Sequence, residues 1–263
     1  MTLSQRWNRE RDSYRPADDI AFDPTRYEVA PLPTDNAAKA FVTRHHYSNT
    51  YPVARWRYGM WEGDELVGVA VFSVPAGAHV LRNVFGDAGA DAIELGRFVL
   101  LDRVPRNGES WFLARAKRAL KREGVSGILS FSDPQPRTNA RGEAIFGGHI
   151  GVIYQASSAL YVGQAPKRTI RLLDDGTVFS ARAQQKIRSG DRGWRPAAGI
   201  LERAGAPPAP EVEADRRAWL REWLPQTTRT LRHPGNHRYA FPLHRKAQPV
   251  LDRQNFPKRG DAD

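Results

Sequence analysis

Apolar and polar positions alternate most clearly over residues 55–62 (RWRYGMWE), where Trp56, Tyr58 and Met60 interleave with Arg55, Arg57 and Gly59. A period of two marks a half-buried strand. Gly63-Asp64 makes a turn, and residues 66–74 (LVGVAVFSV) follow as an apolar, β-branched run. Together they predict a β-hairpin whose second strand is buried. Residues 92–101 (AIELGRFVLL) predict a further strand, with Gly96 at a bulge. The period then changes. Over residues 109–123, Phe112, Leu113, Ala116, Ala119 and Leu120 share one arc of a helix, and Arg115, Lys117, Arg118, Lys121 and Arg122 share the other. Gly124 ends that helix, and residues 127–131 predict a buried strand that stops at Asp133-Pro134.

The remaining pattern is weaker. Residues 1–25 read as a polar arm, 27–30 as a short strand, and Asp35 or Asn36 as the cap of a helix running to about His46. Residues 47–52 and the Gly/Ala-rich 75–89 read as loops. A short helix over 149–158 and strands over 160–163 and 169–173 follow. Residues 177–205 are basic and partly helical, 206–210 (APPAP) form a linker, and 211–224 form a helix with Val212, Trp219, Leu220 and Trp223 on one face. The tail beyond has no strong periodicity. This order predicts an α/β fold with a mixed central sheet flanked by helices. The expected organisation is an N-terminal arm (1–25), a catalytic domain (26–180) and a basic helical extension packed on it (181–263).

Composition narrows the chemistry. The 263 residues are 40% hydrophobic and 26% charged, as in a globular protein. No apolar run reaches the ~18 residues a membrane helix needs, and the N-terminal residues lack a secretory pattern. A cytoplasmic protein is expected. Cysteine is absent, which excludes disulfides, thiolate nucleophiles and Cys-ligated metal. The net charge is +11, and residues from 181 onward hold 17 Lys and Arg against 9 Asp and Glu. Such a basic third fits a polyanionic partner, or solubility alone.

Several clusters carry candidate chemistry. In the turn before the amphipathic helix, Arg103, Arg106, Asn107, Gly108 and Ser110 sit where free helix N–H groups can cradle a pyrophosphate; an ordinary Arg-rich surface turn has the same composition. Asp133, at the carboxyl end of a buried strand, is placed either to hydrogen-bond an amine and take its proton or to cap a turn. His45-His46-Tyr47-Ser48 ends the first helix; adjacent histidines lack metal-ligand spacing, so no metal set is visible. Tyr154 is either a general acid or a packed core tyrosine. Arg232, His237, Arg238 and Tyr239 in the tail combine cations with a stacking face for nucleic acid, or form a solvated basic tail.

In this order HHYS, WEGDELVGVAVFSVP, ELGRFVLLDRVPRNGESWFLARA, ILSFSDP, GVIYQASS and GNHRY resemble the phage Mom proteins over residues 35–242. The resemblance implies a fold similar to the GCN5-related N-acetyltransferases (GNAT), which hold an acyl carrier's pyrophosphate in the turn that here spans 103–110. It implies transfer of a glycine-derived carbamoylmethyl group to N6 of adenine in phage DNA within the bacterial host, protecting that DNA from restriction. On that reading double-stranded DNA delivers a flipped adenine. Asp133 takes the N6 proton, His46, Tyr47 and Ser48 position the base, and Arg97 with Ser110 holds the donor. Tyr154 protonates the leaving group. The donor is acetyl-CoA or another acyl-CoA, with glycyl-tRNA as the alternative; iron through His46 has no ligand set behind it. The turn reads R-V-P-R-N-G rather than the R-x-x-G-x-G/A of acetyl-CoA enzymes.

Three rivals stand beside it. An adenine-N6 methyltransferase would need a D-P-P-Y-like motif, of which Asp133-Pro134-Gln135-Pro136 is a distant echo, and a methionine-cofactor loop, for which Phe146-Gly147-Gly148 is misplaced. A GNAT-type acetyltransferase of a small molecule or protein would not need DNA. A binding protein without enzymatic activity would use only the basic third.

Overall fold

The computed structural model describes residues 21–258 apart from 49, 76 and 78, together with the backbone of two paired strands, β1 (Leu3–Ser4) and β2 (Arg15–Pro16). The rest of the expected arm lies outside the described residues. Next in the chain come β3 (Tyr27–Pro31), α1 (Asp35–His45), β4 (Ala54–Glu62), β5 (Glu65–Ser73), α2 (His79–Phe85), β6 (Ile93–Leu100), α3 (Gly108–Arg122) and β7 (Gly127–Ser132). Then follow β8 (Arg137–Thr138), β9 (Ala144–Phe146), α4 (Val152–Ala156), β10 (Leu160–Gln164), β11 (Arg168–Leu172) and β12 (Val178–Phe179). The chain ends through α5 (Ala181–Ser189), α6 (Trp194–Arg203), α7 (Glu213–Thr227), β13 (Arg229–His233) and β14 (His237–Pro242).

Contacts divide these elements into two compact units. The first takes residues 1–133, 149–165 and 236–263, and the second takes 134–148 and 166–235. Residues 236–258, expected in the basic extension, thus contribute β14 to the first unit. The cause is in the side chains. His237, Tyr239 and Phe241 alternate along β14 and are all buried, a period-two pattern that the surrounding Arg and His residues obscure. A second difference is α2, in the expected loop 75–89: Leu81, Val84 and Phe85 lie at helical spacing and are buried.

The first unit is built on a seven-stranded mixed sheet in the order β10-β14-β7-β6-β5-β4-β3, in which the β6–β7 pair alone is parallel. The α/β class with a mixed sheet flanked by helices is therefore what the chain adopts. One face packs α3 against Met60, Ala70, Phe72, Ile93 and Leu95 through Phe112, Leu113, Ala116 and Leu120. The other face takes α1, whose Ala38 and Val42 meet Val69, Val71 and Val99, and α2, whose Leu81 and Val84 meet Leu129 and Ala240. The second unit has the sheet β12-β11-β13, the β8–β9 hairpin, and a core of Ile187, Ala198, Leu201, Trp219 and Leu220 from α5–α7.

Candidate active site

Two features of β6 create the site. First, β6 and β7 pair only from Ile93↔Ile128 to Leu95↔Ser130, although β6 continues to Leu100 and β7 to Ser132. Beyond that rung the strands part, each held by its other neighbour: β6 by β5, and β7 by β14. An opening between adjacent strands lets groups from both faces meet. Second, the β5–β6 register slips between Val71 and Phe72, which pair with Arg97 and Leu95 and leave Gly96 as the extra residue. The expected bulge is there. Paired residues share a face, so Glu94 (opposite Ser73) and Arg97 (opposite Val71) both point to the α1 side. A regular strand would have sent them to opposite sides.

Around this pair lies the loop that follows α1. The Arg97 guanidinium donates to the Thr50 carbonyl from Nε at 2.8 Å, and also to Thr50 Oγ1 and the Gly96 carbonyl. Thr50 Oγ1 donates to Ser48 Oγ at 3.3 Å, and Ser48 Oγ lies 2.9 Å from His46 Nδ1. The Ser48 backbone N–H donates to the same nitrogen at 3.1 Å. His46 Nδ1 is therefore an acceptor, and the neutral ring carries its proton on Nε2. Burial, then the charges of Arg97 and His149, hold the His46 pKa well below the usual imidazole value. Its ring stacks on Tyr47 at 4.3 Å, and Tyr47 Oη lies 3.4 Å from His149 Nε2.

The other face contributes Tyr154. Its ring packs on Tyr239 and Phe241, and its hydroxyl makes no hydrogen bond among the described residues. Burial first, then Tyr47, Tyr239 and Glu94, raise its pKa above the ordinary phenol value, against the opposing effect of Arg97. Tyr47, Glu94 and Arg97 belong to the α1 side, so Tyr154 feels them through the strand opening, whereas Tyr239 lies on its own face. Burial also raises the Glu94 carboxyl, partly offset by Arg97. No ion pair joins the two within 4.0 Å among the described residues. Asp133 stands at the mouth, three residues beyond the last paired rung. The chain leaves the first unit after Asp133 and re-enters at His149, whose N–H closes the excursion by donating to the Asp133 carbonyl at 2.8 Å.

His46, Tyr47, Ser48, Arg97 and Tyr154 are thus brought together, with Asp133 at the edge. Other expected site residues lie elsewhere. Arg97 and Ser110 do not form a pair: Arg97 is spent on Thr50 on the α1 face, while Ser110 belongs to α3 on the opposite face and donates to the Asn107 carbonyl at 3.1 Å. Arg103 is turned to the hairpin, bridging Glu62 and Glu65, so it is not poised over the start of α3. Gly108 answers to packing, since a Cβ there would lie 2.5 Å from Val104 Cγ1. Asn107 precedes α3 in the left-handed region at φ 76°, and Arg106 is exposed without an ion pair among the described residues. Arg106 and the start of α3 are what is left of the expected cradle, and there the Gly108 N–H already donates to the Pro105 carbonyl at 3.2 Å.

The tail residues also change role. Tyr239 is fully buried, bonded through its hydroxyl to the Ile150 carbonyl, and offers no face to a base. His237 is buried against Tyr161 Oη at 2.8 Å, and Arg238 donates to the Val162 carbonyl at 3.0 Å. Arg232 is exposed on β13, in the second unit. Sequence reasoning passed over Glu94, Thr50 and His149. Glu94 left a trace, for it and Arg97 are the charged residues inside an otherwise apolar run; Thr50 and His149 left none. Among the described residues no three His, Asp or Glu side chains gather as a metal-binding group, and no helix is long and apolar enough to cross a membrane.

Solved structures with a remote likeness carry acetyltransferase titles. A tandem GNAT protein from the clavulanic acid biosynthesis pathway shares 12% identity at a TM-score of 0.37, over 56% of this chain and 47% of that one. This chain spans about half of that protein's length. The ribosomal-protein-S18-alanine N-acetyltransferase from Escherichia coli shares 13% at 0.35, over 58% and 88%. A Bacillus subtilis acetyltransferase in complex with CoA shares 14% at 0.35, over 83% and 99%. No curated protein matches the chain. The sequence itself is decisive: residues 26–258, which span the whole opening and every residue placed around it, match the Mom protein family, and the chain belongs to that family.

Proposed function

We propose that this protein is a DNA-modifying transferase that places a glycine-derived carbamoylmethyl group on N6 of adenine in double-stranded DNA. Membership of the Mom family supports the DNA substrate, and one structural observation supports transfer chemistry. The parted strands β6 and β7 open a passage in which a neutral imidazole, a guanidinium, a carboxyl and a phenol converge from two faces of one sheet.

A flipped adenine enters from the α1 side, where the His46–Tyr47 stack offers it an aromatic face. Its N6 is a weak nucleophile because the lone pair is delocalised into the ring. Asp133 hydrogen-bonds N6 and accepts the one proton it gives up as the new bond forms. Tyr154 supplies a proton to the atom that loses the group. A phenol whose pKa is raised stays protonated at neutral pH, so Tyr154 acts as an acid and not as a base. Glu94 returns a proton to Tyr154 through water, and exchange with solvent then takes the proton from Asp133 and restores the one on Glu94. Arg97 locks the Thr50–Ser48–His46 chain that fixes the imidazole. An acyl carrier (acetyl-CoA, another acyl-CoA or glycyl-tRNA) delivers an acyl group to N6 and leaves as the free thiol or tRNA. A glycyl group has the composition of carbamoylmethyl but is joined through its carbonyl, so a rearrangement follows; an acetyl group needs a further step that adds the amide nitrogen. Arg106 and the first turn of α3 would hold the carrier's phosphate.

The test is mass spectrometry of nucleosides from plasmid DNA of bacteria producing the protein. Deoxyadenosine carrying a carbamoylmethyl group in place of one N6 hydrogen supports the reading. Unmodified deoxyadenosine, together with acetylation of amines in the absence of DNA, would replace it with a small-molecule or protein acetyltransferase.

A further inference from the structure

The second unit holds a groove of about 370 Å³ that no part of the catalytic reading uses. Arg171 of β11, Arg188 of α5, and Arg217 and Arg221 of α7 line it, with Leu220, Leu224 and Pro225 as its apolar floor. No carboxylate is among the lining residues. Arg217 and Arg221 sit four apart on one helix face, where like charges repel. Arg217 pairs with Glu213 a turn earlier and donates from Nε to the Arg188 carbonyl at 3.2 Å, and Arg188 donates to Gln184 Oε1 at 3.4 Å. The side chains of Arg171 and Arg221 have neither ion pair nor hydrogen bond among the described residues. The wider charge distribution agrees. The 85 residues of this unit hold 16 Lys and Arg against 9 Asp and Glu, a net of +7 out of +11 for the whole chain.

Four arginines line the groove and one of them, Arg217, is paired with a carboxylate, Glu213; an anion relieves the repulsion among the rest. Arginine forks match phosphate oxygens in particular. The lining also has no aromatic side chain. Proteins that hold unpaired strands rely on aromatic platforms for stacking, so this groove is suited to a backbone whose bases stay paired. We propose that the groove binds the phosphate backbone of duplex DNA, as a grip separate from the pocket that receives the adenine. This inference rests on the reading of the chain as a DNA-modifying enzyme.

The experiment is a fluorescence-anisotropy titration of a labelled duplex with the full chain, without donor, from low to moderate salt. Two double variants are compared, each losing two exposed arginines from the same unit: Arg188→Gln with Arg221→Gln in the groove, and Arg182→Gln with Arg203→Gln outside it. Each lost phosphate contact removes about 0.9 from the slope of log affinity against log salt. The groove pair is therefore expected to lower that slope by about 1.8 and to weaken binding at least ten-fold near 0.1 M salt. The outside pair should stay within about two-fold, as expected for arginines that touch no phosphate. Equal losses in both pairs would reduce the groove to net charge and overturn the proposal. So would an unchanged groove pair, no duplex binding by the unaltered protein, or tRNA or single-stranded DNA displacing the duplex at lower concentration. Unmodified adenine in cells alongside groove-dependent duplex binding would overturn the enzymatic reading alone.

Discussion

Glu94 and Arg97 leave the same face of β6 although three positions separate them, because Gly96 is the extra residue of a bulge. Everything in the site depends on this local fault. Without it Arg97 would turn toward α3, and Thr50, Ser48 and His46 would lose the guanidinium that holds their loop. Position 96 tolerates only glycine at this packing: a Cβ would lie 2.4 Å from Ser73 Oγ and 3.2 Å from Pro52 Cγ. Gly96→Ala should cost roughly 1–3 kcal/mol, the usual range for overpacking, and should abolish modification. Ser73→Ala removes the nearest atom. The Gly96→Ala/Ser73→Ala double variant is therefore expected to regain most of the stability in urea unfolding; a double variant as unstable as the single one would mean that the backbone, not the hydroxyl, forbids the side chain.

Glu94 carries a test of the opposite sign. Its carboxyl is raised by burial, so the folded state favours the protonated form. The stability it contributes is complete below the unfolded glutamate pKa and is lost as pH rises through the higher folded value. Glu94→Gln removes that loss. The variant should be at least as stable as the parent at pH 7, should show a flatter stability profile above pH ~4.3, and should modify DNA roughly 10²-fold more slowly. Denaturant midpoints across pH and nucleoside analysis measure both. A variant that is less stable and equally active would make Glu94 a packing residue.

His46 behaves as a buried neutral imidazole. Its pKa lies well below 6.5 through burial and the neighbouring Arg97 and His149. A depressed pKa gives stability that is present above the unfolded value and lost as pH falls through the folded one. The His46 ring protons should therefore hold their NMR shifts between pH 7.5 and 6, where an ordinary histidine titrates, and His46→Gln should blunt the acid sensitivity of unfolding. A His46 resonance that titrates near 6.5 would remove the neutral-ring argument for the base-stacking role.

Much of this layout is legible along the chain. The 55–74 hairpin, the bulged strand, α3 and the strand before Asp133 follow from periodicity alone, because each buries a face against near neighbours. What failed is long-range. Tyr239 and His237 look like a cationic tail until β14 is inserted between β10 and β7, a pairing made with residues about a hundred positions away. Arg103 looks like a phosphate ligand until Glu62 and Glu65 are brought across from the hairpin turn. Glu94, passed over beside His46, Tyr47, Arg97 and Tyr154, was also within reach of local reasoning, since a carboxylate inside a buried apolar strand needs an explanation.

Tyr154 gives the sharpest separation of chemistry from folding. Its ring fills a buried position against Tyr239 and Phe241, and Gly151 is held open for it, since a Cβ there would lie 2.8 Å from Tyr154 Cδ2. The hydroxyl makes no hydrogen bond among the described residues, so Tyr154→Phe keeps every packing contact and leaves no orphaned partner. Its unfolding free energy should stay within about 0.5 kcal/mol of the parent. If the phenol protonates the leaving group, kcat falls roughly 10²-fold while KM for DNA is unchanged. Because the raised phenol pKa lies above the working range, the parent should show no alkaline loss of rate from Tyr154 up to pH 9. A Phe variant with full kcat would leave Tyr154 as a core residue and pass the acid role to another group in the opening, with Glu94 the first to examine.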